Sequence, residues 1–161
     1  ATVTLAEQFN PLLRADMELK NSMSLLAEFN RDRTISISLD NDYLTEILKK
    51  EYKFGLGYRL KNLSFATRIT GESTVIKSDL VMKASLSYLK EFTVIRNMET
   101  FNNQVTAGQS SWLGNFTAEY ALSKNLLASY YLQYNFSKSA ISTAFPMTTL
   151  RSGISVKYTF N

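Results

Sequence analysis

Apolar residues recur at every second position along most of this chain. Between Asn125 and Phe136 they are Leu126, Ala128, Tyr130, Leu132, Tyr134 and Phe136. The positions between carry Ser129, Gln133 and Asn135, with Leu127 and Tyr131 as exceptions. Phe116, Ala118, Tyr120 and Leu122 alternate in the same way with Asn115, Thr117 and Glu119. Tyr52, Phe54, Leu56, Tyr58 and Leu60 alternate with Lys53, Gly55, Gly57 and Arg59. Near the end, Ile154, Val156, Tyr158 and Phe160 alternate with Ser155, Lys157 and Thr159. Successive side chains of a strand point to opposite faces, so each segment has one apolar and one polar face.

The N-terminal part follows the same rule. Ala15, Met17 and Leu19 oppose Asp16, Glu18 and Lys20, and Met23, Leu25, Ala27 and Phe29 oppose Ser24, Glu28 and Asn30. Ile35, Ile37 and Leu39 oppose Ser36 and Ser38. Leu80, Met82, Ala84, Leu86, Tyr88, Phe92, Val94 and Met98 keep one parity, with Lys90 and Arg96 as breaks. That run is longer than an ordinary globular strand. Turn chemistry at Phe9-Asn10-Pro11, Lys20-Asn21, Arg31-Asp32-Arg33 and Ser123-Lys124-Asn125 separates the runs. The pattern predicts about nine strands, at 2–8, 12–20, 22–30, 33–39, 51–60, 79–98, 104–122, 125–137 and 150–160. Longer connections are expected at 40–50, 61–78, 99–103 and 137–149. The parity change between Val105/Ala107 and Trp112/Phe116 predicts a bulge or a segment outside a membrane band. Tyr43, Leu44, Ile47 and Leu48 have the spacing of one short amphipathic helix; a loop that caps a strand is the other reading.

Composition narrows what such strands can do. The chain has 161 residues, about one domain. At 45% apolar and 20% charged it is too apolar for disorder and too charged for a helical membrane bundle. It has no run of about 18 apolar residues, and therefore no transmembrane helix. Histidine and cysteine are both absent, which removes disulfides, thiolate or imidazole metal sites, cysteine nucleophiles and histidine-based triads. The net charge of +4 comes from scattered basic residues rather than a stripe, so nucleic acid is not an expected partner. Ala1-Thr2-Val3-Thr4-Leu5 has neither a basic nor an apolar leader region, so no signal peptide is expected in this stretch.

Dyad alternation with short turns fits two architectures. One is a soluble sandwich or ligand-binding barrel, apolar inside; the other is an outer-membrane barrel, apolar outside. Strands of 9–11 residues or more, aromatics on the apolar face and near strand ends, and an aromatic-rich last strand favour the membrane. The expected fold is all-β: an antiparallel transmembrane β-barrel sheet. Its lipid-facing set is Phe54, Leu56, Tyr58, Leu86, Phe116, Tyr120, Leu126, Tyr130, Leu132, Tyr134, Ile154, Val156, Tyr158 and Phe160. Its lumen-facing set is Lys53, Arg59, Glu119, Gln133 and Lys157. With the end of the last strand in the periplasm, alternation places 123–125, 61–78 and 31–33 inside, and 137–149, 99–103 and 40–50 outside. An odd strand count suits a portion of a larger sheet, because single-chain bacterial barrels use even counts. An unpaired edge at Thr2–Gln8 would also be unsatisfied in lipid.

Several segments, in order, carry a family resemblance. They are Glu7-Gln8-Phe9-Asn10-Pro11-Leu12, Glu51-Tyr52-Lys53-Phe54-Gly55-Leu56-Gly57-Tyr58-Arg59 and Ser78-Asp79-Leu80. Ala118-Glu119-Tyr120-Ala121-Leu122-Ser123-Lys124-Asn125-Leu126 and Thr143-Ala144-Phe145-Pro146-Met147-Thr148-Thr149 follow. The chain closes on Ser152-Gly153-Ile154-Ser155-Val156-Lys157-Tyr158-Thr159-Phe160. This succession resembles the C-terminal part of the SprA/Sov family, with Asn161 after the last aromatic as a departure. The resemblance implies the outer-membrane translocon of the type 9 secretion system of Bacteroidetes, which also serves gliding motility. Such proteins are very large single-chain barrels that export folded cargo bearing a C-terminal signal domain. Residues 1–161 would then be one barrel segment, part of the channel wall. The implied partners are outer-membrane lipid, a PorV-type barrel protein and a periplasmic plug protein.

No catalytic, cofactor or metal set is expected. Gly55-Leu56-Gly57 lacks the third glycine and the helix of a dinucleotide loop; on a polar strand face these small residues permit bending or close packing. Asp40-Asn41-Asp42 lacks the spacing of a calcium loop and is read as a turn. Asp16, Glu18, Glu28 and Glu119 fall on polar strand faces, where solvation accounts for them without acid–base chemistry. Glycosylation-like triplets begin at Asn62, Asn115 and Asn135 and are set aside in a bacterial family. Two alternatives stay open: a small self-contained outer-membrane barrel (porin, adhesin or enzyme) and a soluble ligand-binding barrel.

Overall fold

A computed structural model of the chain describes residues 1–69, 72–100, 102–123, 125–140 and 145–160, with the side chains of 65–69, 72–74 and 76 left aside. Seven strands make one antiparallel meander: β1 (Thr2–Leu19), β2 (Met23–Ser38), β3 (Tyr43–Ile69), β4 (Glu72–Asn97), β5 (Asn103–Ser123), β6 (Leu126–Ser139) and β7 (Met147–Tyr158). Each strand pairs with its neighbours in sequence, and the spatial order is β1 to β7 without a crossover. Short turns make this possible. Ser22 and Asp42 take φ of 58° and 53° in the β1–β2 and β2–β3 turns, the left-handed conformation such turns need. In the β4–β5 turn the Asn97 side-chain oxygen accepts from the amides of Glu99 (2.9 Å) and Thr100 (3.0 Å).

The strand count of nine is corrected to seven, because two expected turns lie inside strands. Phe9-Asn10-Pro11 sits in β1, where the register slips between Phe9 and Leu13. β1 is an edge strand, and an edge tolerates a residue with no amide proton. Arg31-Asp32-Arg33 continues β2, because two of its three charged side chains, Asp32 and Arg33, find partners across the sheet. Asn10 donates to Asp32 at 2.8 Å, and Arg33 reaches Glu46 at 2.7 Å. The stretch 43–50 is neither helix nor loop; it begins β3 in register with β2 and β4. Its helical spacing arises because Ile47 is apolar on the face opposite Leu44 and Leu48, so both faces carry apolar groups. Most of 61–78 is also strand, and its centre at 70–71 lies outside the described residues, as does 141–144. A bulge is present in 104–122, but it lies between Val105 and Ala107 rather than between Ala107 and Trp112: Thr93 pairs with Ala107 and Val94 with Val105, so Thr106 is the extra residue. A second bulge sits at Asn62, with φ 56° and its amide donating to Asp79 at 3.1 Å.

The sheet is one layer and does not close on itself; β1 and β7 have one strand neighbour each. Among the described residues only Tyr120 is an apolar residue buried in the usual sense. A soluble sandwich or lipocalin-like barrel would bury one face against a second layer or its own far wall. Neither arrangement is present within the described residues, so the apolar alternation does not build a core here.

Candidate functional site

Cross-strand partners share a face, so the registers sort every strand residue to one side of the sheet or the other. One row across the sheet reads Met17, Leu25, Leu56, Ala84, Phe116, Leu132, Ser152. The next reads Ala15, Ala27, Phe54, Leu86, Gly114, Tyr134, Leu150, and on the other side lies Leu19, Met23, Tyr58, Met82, Ala118, Tyr130, Ile154. These rows form a continuous apolar band. All the residues expected to face lipid fall on this side except Phe160, which lies past the end of β7 with its ring 4.7 Å from Tyr158. The band is uncovered: Phe54 is 59% exposed, Leu150 66% and Ile154 77%. Uncovered apolar patches of this extent mark interaction with a membrane or another protein.

Aromatic rings line one border of the band. Phe29, Tyr52, Tyr88, Trp112 and Phe136 share one cross-strand row. Phe29 stacks on Tyr52 at 4.8 Å, and Tyr88 meets Trp112 at 4.5 Å. Such pairs add about 0.5–1.5 kcal/mol beyond area burial. At the opposite border Tyr120 donates its hydroxyl to the Leu63 carbonyl at 2.9 Å, tying β5 to the bulged part of β3. Two residue steps beyond the aromatic row, the same face carries Arg31, Lys50, Lys90, Ser110 and Lys138, again as one row.

Lys53, Arg59, Glu119, Gln133 and Lys157 all stand on the other face, as their partners Ser87, Val81, Ser129, Asn115 and Leu127 fix. A polar network occupies its N-terminal half. Asn30 donates to Glu28 (2.9 Å) and Glu51 (3.1 Å). Lys53 lies 3.4 Å from each of the same carboxylates, and Ser87 donates to Glu51 at 2.9 Å. Arg14 pairs with Asp16 at 2.8 Å and reaches Glu28 at 3.7 Å. The Asn30 side-chain oxygen is buried without a hydrogen-bond partner among the described residues. Asp16 and Glu28 thus meet through Arg14, while Glu119 is placed several strands away opposite Ser129. Cations and amides bracket these carboxylates, an arrangement that holds register and presents a hydrated surface. Among the described residues no group of carboxylates is placed to hold a metal ion.

The glycines of this face sit where strands crowd, in line with the close packing expected of them. A Cβ on Gly57 would collide with the Ser24 hydroxyl, and one on Gly55 would lie 3.1 Å from Leu26 Cβ. Tyr131, one of the exceptions to the alternation, covers Gly153: a Cβ there would lie 2.7 Å from its ring. An aromatic laid over a cross-strand glycine restores the packing that the glycine lacks.

Sequence reasoning missed one cluster. Glu46 is 3% exposed and joins two guanidinium groups, Arg33 Nε and Arg96 Nη2, each at 2.7 Å. It stands on the apolar-band face, beyond the row of cations. Its members are far apart in sequence, and only the β2–β3–β4 register brings them together. The chain matches no protein-family model and no curated protein sequence.

Proposed function

We propose that this sheet is a stretch of outer-membrane β-barrel wall, with its apolar band against lipid and its polar face lining an aqueous conduit. The uncovered apolar band carries the reading. Leu126 to Phe136 is ten residue steps on β6, about 33 Å of strand at ~3.3 Å per residue. At a tilt near 45° that length gives a height of about 23 Å, against ~25 Å for the apolar belt of such barrels. The aromatic row at one border is what an interfacial girdle looks like. The free edges of β1 and β7 support a sheet continued by further strands, since unpaired backbone groups are costly in hydrocarbon. Seven is also an odd count, whereas closed single-chain barrels use even ones.

The resemblance to SprA/Sov proteins makes the conduit a protein-conducting one, exporting folded cargo through the type 9 pathway without any covalent reaction. A PorV-type barrel, a periplasmic plug and cargo signal domains are the partners on this reading. With the end of β7 in the periplasm, the β1–β2, β3–β4 and β5–β6 connections lie inside and the β2–β3, β4–β5 and β6–β7 connections outside. Residues 31–33, expected as an inner turn, are strand, and the inner turn nearest the N-terminus is at 20–22. The test is a photo-crosslinking residue at Phe54 or at Lys53 of the full-length protein in living cells. Lipid adducts at Phe54 and none at Lys53 are expected. Protein adducts alone at Phe54, or lipid at both, overturn the assignment of faces.

A further inference from the structure

The two borders of the apolar band differ in charge. Six cationic strand residues share that face: Arg31, Arg33, Lys50, Lys90, Arg96 and Lys138. All six lie beyond the aromatic row, on the side of the β2–β3 and β4–β5 connections. Glu46 occupies Arg33 and Arg96. The other four have no carboxylate within ion-pair distance among the described residues; Lys90 instead leans outward over the Phe92 ring at 4.7 Å.

Three of the four are direct neighbours. Arg31 pairs with Lys50 and Lys50 with Lys90, so like charges face each other on three adjacent strands. Strands lie about 4.8 Å apart, and directly opposed like charges destabilise a sheet. An anion between them removes that repulsion. Two residue steps inward, about 7 Å, begin the rings of the aromatic row. Beyond the rings an apolar groove of about 540 Å³ runs over Ala15, Ala27 and Ala84, flanked by Phe54, Leu56 and Leu86. A row of bare cations at an apolar border, above a groove with that lining, has the chemistry of a lipid carrying phosphate.

We propose that Arg31, Lys50 and Lys90, with Lys138 at the flank, bind the phosphate groups of a phosphorylated lipid in the adjoining leaflet, one acyl chain lying in the groove. The inference rests on the membrane-wall reading and adds a specific lipid site to it. The cations hold a headgroup at the height where the tails meet the aromatic row, which fixes the depth of the wall in the bilayer.

Native mass spectrometry of the full-length protein from nanodiscs containing lipid A, in its phosphorylated and dephosphorylated forms, tests this. The wild type is expected to retain the phosphorylated form at least tenfold over the dephosphorylated one. The R31Q/K50Q/K90Q variant should lose that preference, while K49Q/K77Q/K83Q, which removes as many cations from the polar face, should keep it. In lipid-free detergent the first variant should melt no lower than wild type, because the repulsion is gone; a row serving only to hold the sheet together would lower the melting temperature. Equal retention of both lipid forms, retention unchanged in the first variant, or full displacement by millimolar inorganic phosphate overturns the proposal. If lipid adducts at Phe54 persist in that case, only the phosphate site falls. If Phe54 captures no lipid, the wall reading itself falls.

Discussion

Arginine placed along β6 separates a lipid-facing row from a water-facing one. Leu132 sits in the central row of the apolar band, opposite Phe116 on β5 and Ser152 on β7. Phe136 is four residue steps away in the aromatic border row, and Leu126 is six steps away at the other end. At ~3.3 Å per residue and a tilt near 45°, Leu132 then lies within about 3 Å of mid-height. An arginine at mid-bilayer on a lipid face costs roughly 2–4 kcal/mol, and one at the interface about 0–1. Leu132→Arg should therefore lose about 2–4 kcal/mol of stability and Phe136→Arg, at the border, about 0–1 kcal/mol. Gln133→Arg, one residue on and facing the other way, should stay within about 0.5 kcal/mol. The assay is reversible denaturant unfolding of the full-length protein in vesicles, with each variant compared at equal lipid composition. Equal loss at Leu132 and Gln133, or a larger loss at Gln133, refutes the assignment of the faces.

Other substitutions probe the remaining contacts. Glu46→Gln leaves two guanidinium groups facing each other with a weaker acceptor; a loss of about 1–3 kcal/mol in the same unfolding assay is expected, and restoration by adding Arg33→Gln and Arg96→Gln would mark it as charge pairing. Tyr120→Phe removes the hydroxyl that meets the Leu63 carbonyl, with an expected cost of about 1 kcal/mol and faster amide exchange around the Asn62 bulge. Gly153→Ala forces the Tyr131 ring aside and should destabilise the β6–β7 pairing, visible as faster amide exchange in β7.

Much of β5, β6 and β7 was legible because apolar and polar residues contrast sharply there. The grouping of Gln133 and Glu119 on one face followed from parity alone, and the parity change in β5 marked a bulge, though the pairing places it at Thr106, before Ala107. The N-terminal half was harder for definite physical reasons. Asn10-Pro11 and Arg31-Asp32-Arg33 carry turn chemistry, but an edge strand absorbs the first, and cross-strand partners of Asp32 and Arg33 absorb the second. The helical spacing at 43–48 came from a strand with apolar groups on both faces. Lys90 and Arg96 looked like flaws in one long alternation. They are members of two rows, one opposed by Lys50 and one tied to Glu46, that exist only once registers are known. Pairings between distant strands leave no local trace in a sequence.

Strand lengths fall off sharply from the middle of the sheet to one side. β3 and β4 run 27 and 26 residues against each other, while β7 offers 12. Under a pull along the strands, the load on a ladder is shared by all its hydrogen bonds at once. The β3–β4 joint is thus the stiff spine of the panel, and the β6–β7 joint is its tear line. Anything that shears this panel along its strands meets least resistance at the β6–β7 joint.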